Sequence, residues 1–325
     1  MKTQDFWVRH SSVITIYVIA LFLLVLVSIL RPGYASANNL NILSAAAAVL
    51  GITAIGQTFV ILTGGMDLSI PWMFSISAFL FAGITGGDSS TMIYAIPAAL
   101  LAGIGMGLVN GFGIAYVGIV PVIMTISTNI IFQGLLVGIS GGMPGGAPPE
   151  TFKIFASGGM GSVSTLFMLW VIISAIVLVV LHKTRFGRNI YSVGSNENVA
   201  FFSGINVKLT KLSAYAICGL FTAAAAILYS GRLGQLYLAM GEPYQMQSIA
   251  AVAIGGVSLN GGKGSYAGTM GGVLIIVVLN GFLSAMNIPP NVQKIVYGAV
   301  LFISVLIAAR QMSLPTKKRR DLNPA

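Results

Sequence analysis

Between Asp88 and Glu150 the chain runs for 61 consecutive residues without one charged side chain. A soluble fold cannot cover its surface with such a stretch, because ordinary soluble domains carry about 25% charged residues. A bilayer demands the pattern, since charges are costly in hydrocarbon and backbone polar groups must be satisfied within the protein. The rest of the 325 residues agree: 56% are hydrophobic and 7% charged, and the mean hydropathy is +0.91. Forty glycines without a Gly-X-Y period exclude a collagen-like fibre, and the apolar content excludes disorder. The single cysteine, Cys218, excludes an internal disulfide and a multi-thiolate metal site. His10 and His182 sit at segment ends beside basic residues and make a poor metal-ligand pair.

Hydrophobic runs punctuated by Gly, Pro or charge predict an all-α polytopic membrane protein with about ten transmembrane helices. The expected spans are 13–30, 41–63, 72–87, 92–117, 119–140, 163–182, 212–230, 246–260, 266–287 and 292–310. Two of them, 72–87 and 246–260, fall short of the roughly 20 residues of a straight crossing, so they are tilted, broken or re-entrant. Starting with the N-terminus inside, alternation places 13 basic residues on the inner side and 4, namely Arg31, Lys153, Arg232 and Lys294, on the outer side. This bias, and not nucleic-acid binding, accounts for the net charge of +10. One transmembrane domain over 1–325 follows: residues 1–12 and the basic tail 311–325 lie inside, 13–310 form the membrane region, and 183–211 form the longest inner loop. Ala35-Ser36-Ala37 has the look of a signal-peptide cleavage site, but the apolar run before it is long and Arg31-Pro32-Gly33 intervenes, which favours a retained first helix.

Val109-Asn110-Gly111-Phe112-Gly113-Ile114-Ala115 resembles Leu279-Asn280-Gly281-Phe282-Leu283-Ser284-Ala285, and both precede prolines. In the expected topology the two copies run in opposite directions, as an inverted repeat of spans 2–5 and 7–10 requires.

Asp67, in Thr63-Gly64-Gly65-Met66-Asp67-Leu68-Ser69-Ile70-Pro71, is the only acid between Asp5 and Asp88. A carboxylate at the bilayer centre costs roughly 2.5–3.5 kcal/mol, so it must line a wet cavity, be paired or lie near an interface. Gly64, Gly65 and Pro71 predict a helix break, with Asp67 and Ser69 at a path or gate, or with Asp67 capping the helix that follows. Asn110, Asn129, Gln133, Ser248 and Asn280 are polar positions within spans, each suited to a solute hydroxyl in transit or to a neighbouring helix. Gly103, Gly107 and Gly111, and likewise Gly134, Gly138 and Gly142, have the four-residue spacing of close helix packing. The cluster Gly255–Ser265 fails the phosphate-loop pattern, because Val257 occupies the position of its first glycine, and it reads as a tight turn. In the inner loop Ser195 is the expected N-cap of a short helix with Asn198 at N3, followed by Phe201 and Phe202. No catalytic constellation is present, and the residues describe a transport pore without an energy source of its own.

Three blocks resemble the permease subunits of bacterial ABC importers for monosaccharides of the ribose, xylose and arabinose type. Gly56–Ser69 resembles that family's G-x-T-x-V-I-x-x-G-G-I-D-L-S signature, Thr184–Gly194 through Ser203-Gly204-Ile205 its inner coupling loop, and Ile249–Leu259 with Gly261, Gly262, Gly268 and Thr269 its C-terminal block. Pro71 where the family has glycine, and Ser195 within Gly194-Ser195-Asn196, depart from it. The resemblance implies a permease in a bacterial inner membrane with both termini cytoplasmic, no enzyme activity and no cofactor in this chain. Its implied partners are ATPase subunits that use ATP and Mg, a periplasmic sugar-binding protein, a second permease copy or paralogue, and membrane lipid. It implies ATPase coupling through Arg188, Asn196, Glu197, Ala200, Phe201, Ser203 and Gly204. Gly64, Gly65, Asp67, Ser69, Asn110, Asn129, Gln133, Ser248 and Asn280 are the candidates for the translocation path or gate. Arg31, Asp88, Glu150, Lys153, Arg232 and Glu242 are the outer candidates for docking the binding protein. An ion-coupled secondary sugar carrier is the alternative, and a membrane anchor without a solute path is a third reading.

Overall fold

The computed structural model describes residues 2–143, 145–289, 291–299, 302 and 306, with side chains from Val13 onward. Long helices dominate because apolar runs with few breakers satisfy every backbone group internally, as lipid requires. In chain order they are α1 (Lys2–Leu30), α2 (Ala37–Leu62), α3 (Ile70–Thr85), α4 (Met92–Phe112) and α5 (Pro121–Ser140). A short α6 (Glu150–Ser157) and a two-residue β-hairpin (Gly159–Met160 with Val163–Ser164) lead into α7 (Thr165–Lys183). Then come α8 (Arg185–Ser195), α9 (Glu197–Phe202), α10 (Val207–Leu233), α11 (Glu242–Ile254) and α12 (Tyr266–Ala285). Residues 291–299 are helical too, and most of the remainder of the tenth expected span, 292–310, lies outside the described residues.

Seven helices are long and apolar enough to cross a membrane, counting α4 with its flanking turns as one. With the shorter α3 and α11 between them, the chain is an all-α polytopic membrane protein. The two spans expected to be short are the two short helices, of 16 and 13 residues. Each begins after an irregular stretch and carries proline in its first turn, Pro71 and Pro243, where the missing amide N–H has no helical partner to lose. The two starts meet: a Cβ on Gly241 would overlap the Pro71 carbonyl, and the Gly241 N–H points to Ser75 Oγ at 3.4 Å. The last five residues of the expected fourth span form a π-turn, Gly113–Val117.

α2 is the central post: from Ala47 to Leu62 every residue is buried, with α7, α10, α11 and α12 against it. Trp170 lies over Gly51, which leaves no room there for a side chain, and its Nε1–H donates to Tyr266 Oη at 3.0 Å. The spaced glycines of α4 meet α10, with Gly107 on the Tyr215 carbonyl and Gly103 2.5 Å, measured from an added Cβ, from the Gly219 carbonyl. The second glycine series is a correction. Gly134, Gly138 and Gly142 touch nothing within 4 Å, and Gly142 lies in a turn at φ +78, because α5 packs on α3 and α4 with its other face.

The inner loop also differs from expectation. Residues 185–195 form a helix, α8, so the N-cap of the following α9 is Asn196, whose Oδ1 accepts from the Val199 N–H at 3.0 Å, and not Ser195. Gly255–Ser265 is the expected tight turn, closed by Ser258 N–H to the Lys263 carbonyl at 3.0 Å.

Candidate functional site

The stretch from Thr63 to Ser69 breaks the helical run because Gly64 adopts φ +83 and Pro71 fixes the next start. Except at the exposed Gly64, the stretch is buried or half-buried, so other helices must supply partners for its polar groups. Asp67 is fully buried, and its Oδ1 accepts from the Ser69 N–H at 2.9 Å and from Ser69 Oγ–H at 2.6 Å. The expected capping of α3 by Asp67 does not form: its N-cap is Ser69, and no side chain among the described residues accepts from the first amides of the helix. The carboxylate instead holds the amide and hydroxyl of Ser69. Ser69 Oγ in turn accepts from Asn110 Nδ2 of α4 at 2.7 Å, and Asn110 Oδ1 accepts from Thr128 Oγ1 of α5 at 2.7 Å. Every donor in this run points toward the carboxylate, and all four residues are buried.

Backbone carbonyls of the break are held as well. Met66 O accepts from Tyr215 Oη of α10 and from Thr125 Oγ1 of α5, each at 3.4 Å, and Leu68 O accepts from Gln245 Nε2 of α11 at 2.7 Å. A Cβ on Gly65 would overlap the Tyr215 hydroxyl, and one on Gly64 would lie 3.6 Å from the Asn260 carbonyl. Helices α3, α4, α5, α10 and α11 are thereby joined through seven residues of irregular chain.

Of the nine candidates for a path or gate, Gly65, Asp67, Ser69 and Asn110 come together in this buried hub, with Gly64 exposed at its edge. The other four lie apart from it. Asn129 is half-buried on α5, its Oδ1 buried without a hydrogen-bond partner, and Gln133 one turn further on is exposed. Ser248 is buried and donates to its own helix at Gln245 O, 3.1 Å away. Asn280 is half-buried near the end of α12. Thr125 and Thr128 were missed, because a threonine in an apolar helix ordinarily bonds its own preceding turn, as Thr125 also does with Pro121 O at 2.9 Å.

One end of the bundle collects the basic residues. Lys183, Arg185 and Arg188 precede or lie on α8, Lys208 and Lys211 start α10, and Lys263 lies in the turn beside α8. Tyr191 Oη of α8 donates to Gly264 O at 3.0 Å, and Ser195 Oγ to Gly262 O at 3.4 Å, which fixes that turn against the helix. On α9, Ala200 is buried as its anchor, while Phe201 and Phe202 are 66% and 85% exposed and stack edge-on. Asn196, Ser203 and Gly204 are exposed at its two ends, and Glu197 pairs with Lys211. A cavity of about 820 Å³ separates α9 from the α4–α5 connection, lined by Ile114, Val120, Phe201 and Lys208 among others.

The opposite end holds the remaining charged candidates, and most are already engaged. Arg31 donates to the Ala285 carbonyl, Glu150 pairs with Lys153 at 3.1 Å, and Glu242 pairs with Lys294 at 3.5 Å. Asp88 accepts from the Ser90 amide and hydroxyl, which hold its carboxyl below the usual carboxylate range. Arg232 is half-buried in the last turn of α10.

The chain resembles known permeases along most of its length. It is 37% identical over 294 residues to the ribose import permease protein of Bacillus subtilis (strain 168), covering 89% of this chain and 90% of that one. It is 34% identical to the ribose import permease protein of Escherichia coli (strain K12), covering 94% and 95%. It is also 34% identical to the galactose/methyl galactoside import permease protein of Salmonella typhimurium (strain LT2), covering 93% and 94%. No solved structure matches. Residues 39–305 match the model of the family described as branched-chain amino acid transport system / permease component. With the helix break, the buried hub and the basic end inside that matched region, the chain is a multi-pass membrane protein that belongs to this permease family.

Proposed function

We propose that this chain is the permease subunit of an ATP-driven importer for a monosaccharide or a closely related sugar. Its near full-length likeness to ribose and galactose import permeases carries this reading. In it, the basic end faces the cytoplasm, both termini lie there, and the membrane is a bacterial inner membrane. ATPase subunits, which use ATP and Mg, dock on α8 and α9 through Arg188, Asn196, Glu197, Ala200, Phe201, Ser203 and Gly204. The exposed Phe201–Phe202 pair supports that role, since two adjacent aromatics outside a core mark a binding surface. A periplasmic sugar-binding protein docks on the opposite end near Arg31, Asp88, Glu150, Lys153, Arg232 and Glu242. A second permease, identical or paralogous, covers the open face of α5, where Gln133 and Asn129 are placed to meet a sugar hydroxyl. The closed hub around Asp67 and the polar positions Ser248 and Asn280 belong to the gate. The meeting of α3 and α11 at their proline-bearing starts supports an inverted repeat, in which the two short helices occupy corresponding places in the two halves.

Deleting 196–203 tests the reading. Co-purification of the ATPase and sugar uptake are expected to fall to background while the permease still inserts. Uptake that persists without the ATPase, driven by a proton or sodium gradient in proteoliposomes, would establish an ion-coupled carrier instead.

A further inference from the structure

We infer that Gly194, Ser69, Asn110 and Thr128 are positioning residues that carry a displacement of α8 to α5, an inference that rests on the ATPase-driven reading above. At the end of α8, Gly194 lies against the C-terminus of α2 so closely that a Cβ would overlap Leu62 O, and it would stand 2.6 Å from the Gly262 amide nitrogen. Gly262 N–H donates to the same Leu62 O at 3.0 Å. A Cβ on Gly261 would lie 2.7 Å from the Gly64 nitrogen and 2.9 Å from Gly194 O. Three backbone segments, at 62–64, 194 and 261–262, therefore touch with no flexible side chain between them, and such close packing transmits a shift instead of absorbing it. The next residues along the chain from Leu62 are those of the break.

The break then holds α5. Among the described residues, α5 makes two side-chain hydrogen bonds to other helices or to the break. One is Thr128 to Asn110 Oδ1 at 2.7 Å; the other is the longer Thr125 to Met66 O at 3.4 Å, from a hydroxyl shared with Pro121 O at 2.9 Å. Its outer face carries Ile123, Ile130 and Ile131, each at least 60% exposed, and Gly134 and Gly138 with nothing within 4 Å. α4, by contrast, is locked to α10 through Gly103 and Gly107. Thus α5 is only loosely held by the bundle, and its two polar attachments lead to the segment on which α8 rests, Thr125 directly and Thr128 through the Asn110 side chain. A push on α8 reaches α5 by way of Leu62, the break and the hydroxyl of Thr128.

The test uses the assembled complex of permease, ATPase subunits and binding protein, reconstituted in liposomes, and reads sugar molecules moved per ATP hydrolysed. Thr128→Val keeps the shape of the side chain and removes only its hydroxyl. It is expected to lower the ratio at least about tenfold, within the usual range of coupling energies, with the ATPase still co-purifying. Thr128→Ser, which restores the hydroxyl, is expected to return the ratio to within about twofold of the unaltered protein. A wild-type ratio in Thr128→Val, or a Thr128→Ser variant as poor as Thr128→Val, overturns the inference. If Thr128→Val does not assemble, Thr125→Val is read in the same way. A fall of about threefold supports the line and an unchanged ratio overturns it. Failure of the unaltered chain to retain any ATPase refutes the proposed function, whereas normal ATPase binding with undiminished coupling refutes only this inference.

Discussion

Replacing Asp67 with alanine is expected to abolish uptake and to reduce the folded protein recovered from membranes to a small fraction. The carboxylate is the sole acceptor for both the amide and the hydroxyl of Ser69. Once it is gone, two donors stay buried with no water to turn to, at about 1–3 kcal/mol each. The loss is not local, because Ser69 Oγ also receives Asn110, which receives Thr128. A total of several kcal/mol is a large share of the 5–15 kcal/mol that holds a typical fold together. Asp67→Asn keeps an oxygen in the accepting position and is expected to retain most of the folded protein. Size-exclusion profiles of solubilised protein, together with uptake of labelled sugar, distinguish the two variants. Equal behaviour of alanine and wild type would remove Asp67 from the hub.

Truncating Trp170 to alanine is expected to have the largest effect on stability alone. The ring is 1% exposed, rests on Gly51 and meets Phe167 edge-on at 5.4 Å. Its removal opens a cavity between α2, α7 and α12, at a cost of about 3–5 kcal/mol. It also strips Tyr266 Oη of one of two polar neighbours, the other being Ser174 Oγ at 2.9 Å. Tyr266→Phe is the milder companion: it leaves the Trp170 N–H and the Ser174 hydroxyl unmet, at about 1–3 kcal/mol. Thermal unfolding in detergent should rank wild type above Tyr266→Phe and Tyr266→Phe above Trp170→Ala. The reverse order would place the stabilising contribution elsewhere.

The long helices and the break were legible because apolar runs, charge alternation and the Gly64-Gly65…Pro71 punctuation are local signals. The two short helices were legible as short, although the expected 246–260 begins four residues too late and runs into a glycine turn. Helix α8 was not legible. Gly187 and Gly194 each cost about 1 kcal/mol of helix propensity, and packing outweighs that cost. Gly187 lies on the Leu181 carbonyl and Gly194 on the Leu62 carbonyl, contacts that only a glycine permits. Asp67, Ser69 and Asn110 stood out as polar residues in apolar surroundings, but nothing in their spacing joined them to Thr128. That connection depends on α4 and α5 lying side by side. Spacing also promised the same role to both glycine series, and it cannot say which face of a helix the chain itself will cover.

The abutting starts of α3 and α11 have a dielectric consequence. At 1.5 Å per residue, helices of 16 and 13 residues reach about 24 and 20 Å, short of the roughly 30 Å of hydrocarbon in a bilayer. The shortfall is filled by residues 63–69 from one end and 234–241 from the other, chain whose peptide dipoles are not spent within a regular helix. Low-permittivity material is therefore thinner here than in the surrounding lipid. A polar molecule crossing beside these segments gives up its hydration over a correspondingly shorter distance.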